Sequence, residues 1–367
     1  MSNILYIGPY REFSGRGSAA RNYIKALVYC GHNVSIRPIY STFKSYPSFD
    51  IDNDILELEN NFNKKYHAVI QHCYPHEYYF DNRFDKIIGI VNLESLNYRG
   101  RLDDYLSIPD QLIAPSNFVK QAINENKNFN VYIIPEPIDI KKISEYKNNK
   151  NHKDKKTSDF IFYVIADFLP KNNIPEILEC FWMAFDENYS VELVIKTKNK
   201  IYEFTNLHQT IEYEFAKINP SISRYKKKPR LVIGEVKKEA INYLHNNGDC
   251  CIDVSSSRCF GGSVLEALAF DNSCIVHEFT SQSEVVDNTN NFIVESELVN
   301  CRDAIKVHDI YNTFDQQWYY PNKDSLIQQL KNALLETKEQ KAQRLLLTQE
   351  KIKDYSIETI SEQFKYL

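Results

Sequence analysis

The chain has 367 residues, more than one hydrophobic core usually serves, so two domains are expected. Hydrophobic residues at 43% and charged residues at 25% are ordinary for a globular protein, and a net charge of −5 provides no polybasic footprint for a nucleic-acid partner. Apolar runs stay short of the roughly 20 residues that a membrane helix needs, which excludes a spanning helix and leaves peripheral membrane contact open.

The opening run Ile4-Leu5-Tyr6-Ile7-Gly8 is too short for a secretory signal and reads as a buried strand, so a cytoplasmic location is expected. Further short β-branched runs follow at Val34–Ile39, Ala68–Gln71, Ile87–Val91, Leu112–Ala114 and Val131–Ile134. The segment Ala19–Val28 has helical periodicity and ends at Gly31. From Lys141 to Ser158 the chain is polar and lysine-rich, lacks the apolar residues a core requires, and is expected to link two domains. A second alternation follows it. Strands are predicted at Phe160–Ile165, Val191–Ile195, Leu231–Ile233, Cys251–Val254 and Cys274–Val276, and helices at Ile174–Phe185, Lys238–Asn246 and Ser263–Phe270. Such alternation is the pattern of α/β domains with parallel sheets, and two of them would hold a ligand where their strand ends face each other. The eight cysteines lack zinc-ligand spacing and are expected as reduced thiols, with Cys250 and Cys251 on opposite faces of one strand.

The most informative stretch runs from Gly248 to Ala269. A buried strand enters a small-residue loop, Val254-Ser255-Ser256-Ser257-Arg258-Cys259-Phe260-Gly261-Gly262, and a helix opens at about Ser263. A helix N-terminus offers free N–H groups and a positive dipole end to an anion, and the glycines allow close backbone approach. Glu266 is expected in the first turn, where its carboxylate could accept from a ribose diol; a helix start with no ligand would use the same residues.

This block resembles the donor-site motif of GT-B glycosyltransferases, most closely glycosyltransferase family 4. Further blocks follow that family in order: Gly8-Pro9-Tyr10 through Gly15-Arg16-Gly17, Ala114-Pro115-Ser116-Asn117-Phe118-Val119-Lys120, Ile134-Pro135-Glu136-Pro137-Ile138-Asp139, Pro170-Lys171-Asn172-Asn173-Ile174 and Glu284-Val285-Val286. The resemblance implies two Rossmann-like parallel-sheet domains facing a central cleft: residues 1–150 on the acceptor side and 151–354 binding the nucleotide-sugar. It also implies that residues 355–367 cross back to the first domain; their apolar stripe Ile357, Ile360, Phe364 and Leu367 must bury itself against something.

The implied activity is retaining, metal-independent transfer of a sugar from a nucleotide-sugar to a hydroxyl of a glycan, lipid-linked or other acceptor. By the same resemblance, Glu266 binds the ribose, and the amides of Gly262, Ser263, Val264 and Leu265 meet the diphosphate. Lys171 neutralises the leaving phosphates, and the backbone at Val236 reads the base. Gly15 and Arg16 oppose them, and His72 lies near the transferred sugar. No cofactor is implied, and no Asp-x-Asp metal motif stands at a strand end, Asp253 being alone.

One position departs from the family. The motif's first glutamate, which holds the donor sugar, falls at Arg258, whose guanidinium cannot accept a hydrogen bond. Arg258 then reads an acidic donor, contacts phosphate, or faces solvent. Glu94 is a further residue bordering the expected acceptor site. Two other classes fit the same frame: a GT-B protein that has lost catalysis and serves as a scaffold, and a nucleotide-sugar epimerase. A dinucleotide fingerprint is also spelled by Gly15-Arg16-Gly17-Ser18-Ala19-Ala20, but its glycines come too late after the strand, and Arg37-Pro38 stands where an acidic residue is required.

Overall fold

The structure, a computed structural model, describes residues 2–39, 51–98, 102–149, 159–198, 206–218, 228–256, 258–301 and 316–365. In the first half, β1 (Asn3–Gly8), α1 (Gly15–Tyr29), β2 (Asn33–Pro38), α2 (Asn53–Glu57), β3 (Ala68–Gln71), β4 (Lys86–Ile90), α3 (Leu102–Leu106), β5 (Gln111–Ala114), α4 (Asn117–Ile123) and β6 (Val131–Ile133) form one lobe. Its sheet has the order β2-β1-β3-β4-β5-β6. Beyond α5 (Ile140–Asn148) come β7 (Phe160–Ile165), α6 (Ile174–Ala184), β8 (Val191–Thr197), α7 (Leu207–Ala216), β9 (Arg230–Ile233), α8 (Lys238–Asn247), β10 (Cys250–Asp253), α9 (Gly262–Ala269), β11 (Ser273–His277) and β12 (Phe292–Val294). They form a second sheet in the order β12-β11-β10-β7-β8-β9. Every strand pairing in both sheets is parallel. Central strands such as β3, β10 and β11 are buried at every position, as strands covered on both faces must be. Cys250 and Cys251 enter cores on opposite faces of the second sheet, and all eight cysteines are free thiols.

Strand order reverses between β1 and β3 in the first sheet and between β7 and β10 in the second. Chains that leave such neighbours in opposite directions open a crevice at the strand C-termini, where α/β proteins place ligands. These two switch points face each other.

Local chemistry moves several elements from where the sequence places them. Helix α1 begins at Gly15 and not at Ala19, because the Ser14 hydroxyl accepts from the Gly17 amide at 3.1 Å and caps it. Gly17 is required there: a Cβ would lie 2.0 Å from the Glu12 carbonyl oxygen. The segment expected as a linker contains α5, whose Ile143 is buried with Ile161, Tyr163 and Val264 of the second lobe; residues 150–158 lie outside the described residues. Helix α9 opens at Gly262, so Glu266 stands one turn in and not in the first turn.

An antiparallel hairpin, β13 (Ser296–Asn300) with β14 (Gln317–Pro321), has no counterpart in the sequence reading. It leaves the second lobe and pairs with the first, Leu96 and Gln317 exchanging backbone hydrogen bonds at 2.8 and 3.1 Å. The helices α10 (Lys323–Leu334) and α11 (Lys338–Ile352) then cover the second sheet, and α12 (Ile357–Ser361) crosses back. Ile357, Ile360 and Phe364 are buried among Ile4, Ile24 and Leu27 of the first lobe; Leu367 lies outside the described residues. The outgoing and returning strands of the crossing meet, the Ile138 amide donating to the Tyr355 carbonyl at 2.8 Å and the Ile357 amide to the Ile138 carbonyl at 3.2 Å. No helix among the described residues is long and apolar enough to cross a membrane.

Candidate functional site

The first-lobe wall is built from the loops after β1, β3 and β4. The Arg16 guanidinium lies over the Tyr74 ring, 4.1 Å from its centroid, and its Nε is buried without a hydrogen-bond partner. His72 follows β3 and is 1% exposed. Its Nδ1 meets the Tyr6 hydroxyl at 2.6 Å and its Nε2 meets the Asn92 side-chain amide at 3.1 Å. Because an amide nitrogen only donates, Nε2 accepts and the proton sits on Nδ1. Burial, helped by the Arg16 charge, pushes the His72 pKa down to about 3, so the ring is neutral.

The second-lobe wall comes from the loops after β7 and β10. Asn173 takes a left-handed conformation (φ 52°) and its side chain donates to the Val254 carbonyl at 2.8 Å and the Ser256 hydroxyl at 2.9 Å. The Ser256 amide donates to the Lys171 carbonyl at 2.7 Å. These bonds tie the two loops of the switch point together and fix Lys171, whose ammonium pairs across the cleft with Glu94. Arg258 does not face solvent: its Nε lies 3.2 Å from Asp253 Oδ2, and its Nη2 is buried without a partner. Asp253 also accepts from the hydroxyls of Ser255 at 2.5 Å and Ser263 at 3.3 Å. Burial opposes the Arg258 charge, but Asp253, Glu94 and Asp167 together raise its pKa above the ordinary value.

Glu94 is where the two walls converge. Burial alone would raise its carboxyl, yet Lys171, Arg258 and Arg16 hold it below the ordinary value. Three cations, one from the first lobe and two from the second, therefore act on one carboxylate, Lys171 by direct pairing, and the two arginines each keep a buried N–H unpaired. Helix α9 starts beside them with Gly261 (φ 105°) as its cap and no side-chain cap, so the amides of Gly262 and Ser263 remain open. Its Glu266 pairs with the Lys238 ammonium, while His245 Nε2 lies 3.4 Å away. Burial raises the Glu266 carboxyl, but Lys238 and His245 win and hold it at about 2.

The structure thus places Lys171, Arg258 and the start of α9 on the second-lobe wall and Arg16 on the first, with Glu266 a turn away; of the four expected amides, those of Val264 and Leu265 already donate to the Gly261 carbonyl at 3.0 and 3.2 Å, which leaves Gly262 and Ser263. Gly15 is exposed at the start of α1, and Val236 lies in the loop before α8, the helix whose first residue is Lys238. His72 is kept back from the cleft by Tyr6 and Asn92. Asn92, Lys238 and His245 stand in no motif of the sequence, yet each pairs with a site residue. Lys196 and Lys198, at and just beyond the end of β8, are further residues outside any motif; both are buried, and the Lys198 ammonium donates across the cleft to the Phe13 carbonyl. Lysines at the C-terminal end of an otherwise apolar strand are the signal that was available.

Two parallel six-stranded sheets with facing switch points and a returning C-terminal helix are the GT-B architecture. No protein-family profile and no curated protein matches the sequence. Solved structures do match the fold across the whole chain. A glycosyltransferase from Rickettsia africae is 14% identical with a TM-score of 0.67, over 99% of this chain and 96% of that one. HepE from Anabaena, in complex with UDP and glucose, is 10% identical with a TM-score of 0.63, over 100% and 99%. The α,α-trehalose 6-phosphate synthase of Burkholderia multivorans is 12% identical with a TM-score of 0.67, over 99% and 97%. At these identities the likeness is one of fold.

Proposed function

We propose that the chain is a glycosyltransferase that takes a sugar from a nucleotide-diphosphate donor and passes it, with retention and without a metal ion, to a hydroxyl of a glycan, lipid-linked or other acceptor. The observation that carries this reading is the pair of buried, unpartnered guanidinium N–H groups of Arg16 and Arg258, one from each lobe, converging with Lys171 beside the open amides of α9. An unpaired buried donor costs about 1–3 kcal/mol, and here two such donors come from facing loops of different lobes. An anion held by both lobes satisfies them. A nucleoside diphosphate, the group that HepE binds, fits this set of donors.

In this reading the diphosphate sits on the Gly262 and Ser263 amides. Lys171, Arg258 and Arg16 stabilise the negative charge that grows as the sugar leaves. Lys171 then exchanges Glu94 for phosphate, and Glu94 is released toward the acceptor. Glu266, ionised throughout the working range, accepts from the ribose, and the base lies by Val236. His72 is a positioning residue: neutral and locked, it orients Asn92 at the cleft floor. Gly15 and Arg16 close the site from the first lobe.

Titration calorimetry with UDP-glucose tests the ribose assignment. Glu266→Ala is expected to weaken binding by about 1.5–3 kcal/mol, the range for a hydrogen bond to a charged group. Unchanged affinity in a folded variant removes the assignment.

A further inference from the structure

Glu136 stands in the turn between β6 and α5, opposite the start of α9: a Cβ built on Gly262 would lie 3.6 Å from its Oε2. Among the described residues its carboxyl makes no hydrogen bond and no ion pair. Among the described residues, Tyr6 on β1, Tyr23 on α1, Arg258 and Cys259 in the loop after β10, and Glu266 on α9 interact electrostatically with it. On the other side of the same helix start lies Gln282, which is fully buried with both its amide oxygen and its amide nitrogen unpartnered. A Cβ on the cap residue Gly261 would lie 2.7 Å from its Cγ and 3.7 Å from its Nε2. Two unpaired polar side chains therefore flank the amides on which the diphosphate is placed.

A phosphate oxygen can accept from the Gln282 amide, but an ionised Glu136 only accepts and would face phosphate with like charge. We propose that Glu136 takes part in donor binding in its protonated form, giving its O–H to a diphosphate oxygen, so that binding of the donor at alkaline pH is coupled to uptake of one proton. The proton comes from solvent and no covalent bond changes. This inference rests on the reading of the cleft as a nucleotide-sugar site.

The free enzyme is poised for it. Burial raises the Glu136 carboxyl to about 8, with Arg258 working against the rise and Glu266 adding to it. A bound diphosphate raises it further. Below that pKa the free enzyme already carries the proton and affinity is level with pH. Above it the proton must be taken up, and affinity falls by up to about tenfold per pH unit until the pKa of the complex is reached.

Calorimetry with UDP-glucose from about pH 6.5 to 9.5 provides the test. In the natural chain affinity is expected to stay level to about pH 8 and then fall. In Glu136→Gln, which is neutral at every pH and keeps an N–H donor, it is expected to stay level throughout, within a few-fold of the natural value at neutral pH. Near pH 9, heats measured in buffers of different ionisation enthalpy should show uptake approaching about one proton by the natural chain. That measurement needs no variant. Equal pH slopes in the two proteins, or no proton uptake by the natural chain, overturns the role of Glu136 and leaves the donor site standing. Absence of binding of UDP-glucose, GDP-glucose and ADP-glucose alike by both proteins at every pH overturns the donor reading and this inference with it.

Discussion

Removing the residues after Asp354 is expected to unfold the first lobe while the second keeps its structure. The tail is the last piece of sequence in the chain, yet Ile357, Ile360 and Phe364 are 7%, 0% and 0% exposed within the core built by β1, α1 and β2. Tyr23 packs edge-on against Phe364 at 6.1 Å, and His32 Nε2 meets the Phe364 carbonyl at 2.9 Å. Each large apolar side chain withdrawn from water contributes roughly 1.5–3 kcal/mol, so three of them amount to about 5–9 kcal/mol. A whole domain is stable by only about 5–15 kcal/mol. The truncation also removes the Ser356 segment that pairs with Ile138 at the crossing. Hydrogen exchange resolved along the chain distinguishes the outcomes: protection should collapse in β1, β2 and α1 and persist in β7, β10 and β11. Loss confined to the second sheet would show that the tail's burial in the first lobe has been misjudged.

Lys171→Met is expected to lower turnover by about 10²–10³, the cost of removing one preorganised donor from a developing negative charge. Removing the ammonium also strips Glu94 of its direct partner, so Lys171→Met/Glu94→Gln serves as the control. The double variant should remain as slow as the single one if the loss is catalytic, and recover if the loss comes from an unpaired Glu94. Arg258→Met is expected to act in the same direction, because its Nη2 is a buried donor without a partner. With these cations supplying the positive charge, activity should survive EDTA. A strict requirement for a divalent ion, or full turnover by Lys171→Met, would remove the electrostatic mechanism.

What the sequence made legible followed from local rules. Unbroken apolar runs such as Phe160–Ile165 announced buried parallel strands, and the amphipathic tail announced that it needed a partner surface. Ser14 and the glycines after it carry a helix-capping signal as well as the loop motif, and the cap decides where α1 begins. The β13–β14 hairpin escaped because Ser296-Glu297-Leu298-Val299-Asn300 alternates weakly and pairs antiparallel, against the pattern of the rest of the chain. The side-chain pairings around the cleft were not legible. Nothing in the spacing of Lys171 and Glu94, or of Glu266 and Lys238, tells that these side chains meet, since long-range pairing is fixed by strand order and lobe closure. His72 shows the same limit. A histidine at a strand end reads as accessible, and only the packed structure reveals Tyr6 and Asn92 occupying both ring nitrogens. Glu136 stood in a quoted block without a role, and Gln282 carried no signal, because a missing hydrogen-bond partner is a property of the surroundings.

The most direct test of the central claim is a crystal structure of the chain grown with a nucleoside diphosphate, chosen from UDP, GDP and ADP by the largest thermal stabilisation. The expected result is a diphosphate on the Gly262 and Ser263 amides, contacted by Arg16, Lys171 and Arg258, with the ribose hydroxyls on Glu266 and the Lys171–Glu94 pair opened. A nucleotide bound away from the facing switch points, or no stabilisation by any of the three, would contradict it.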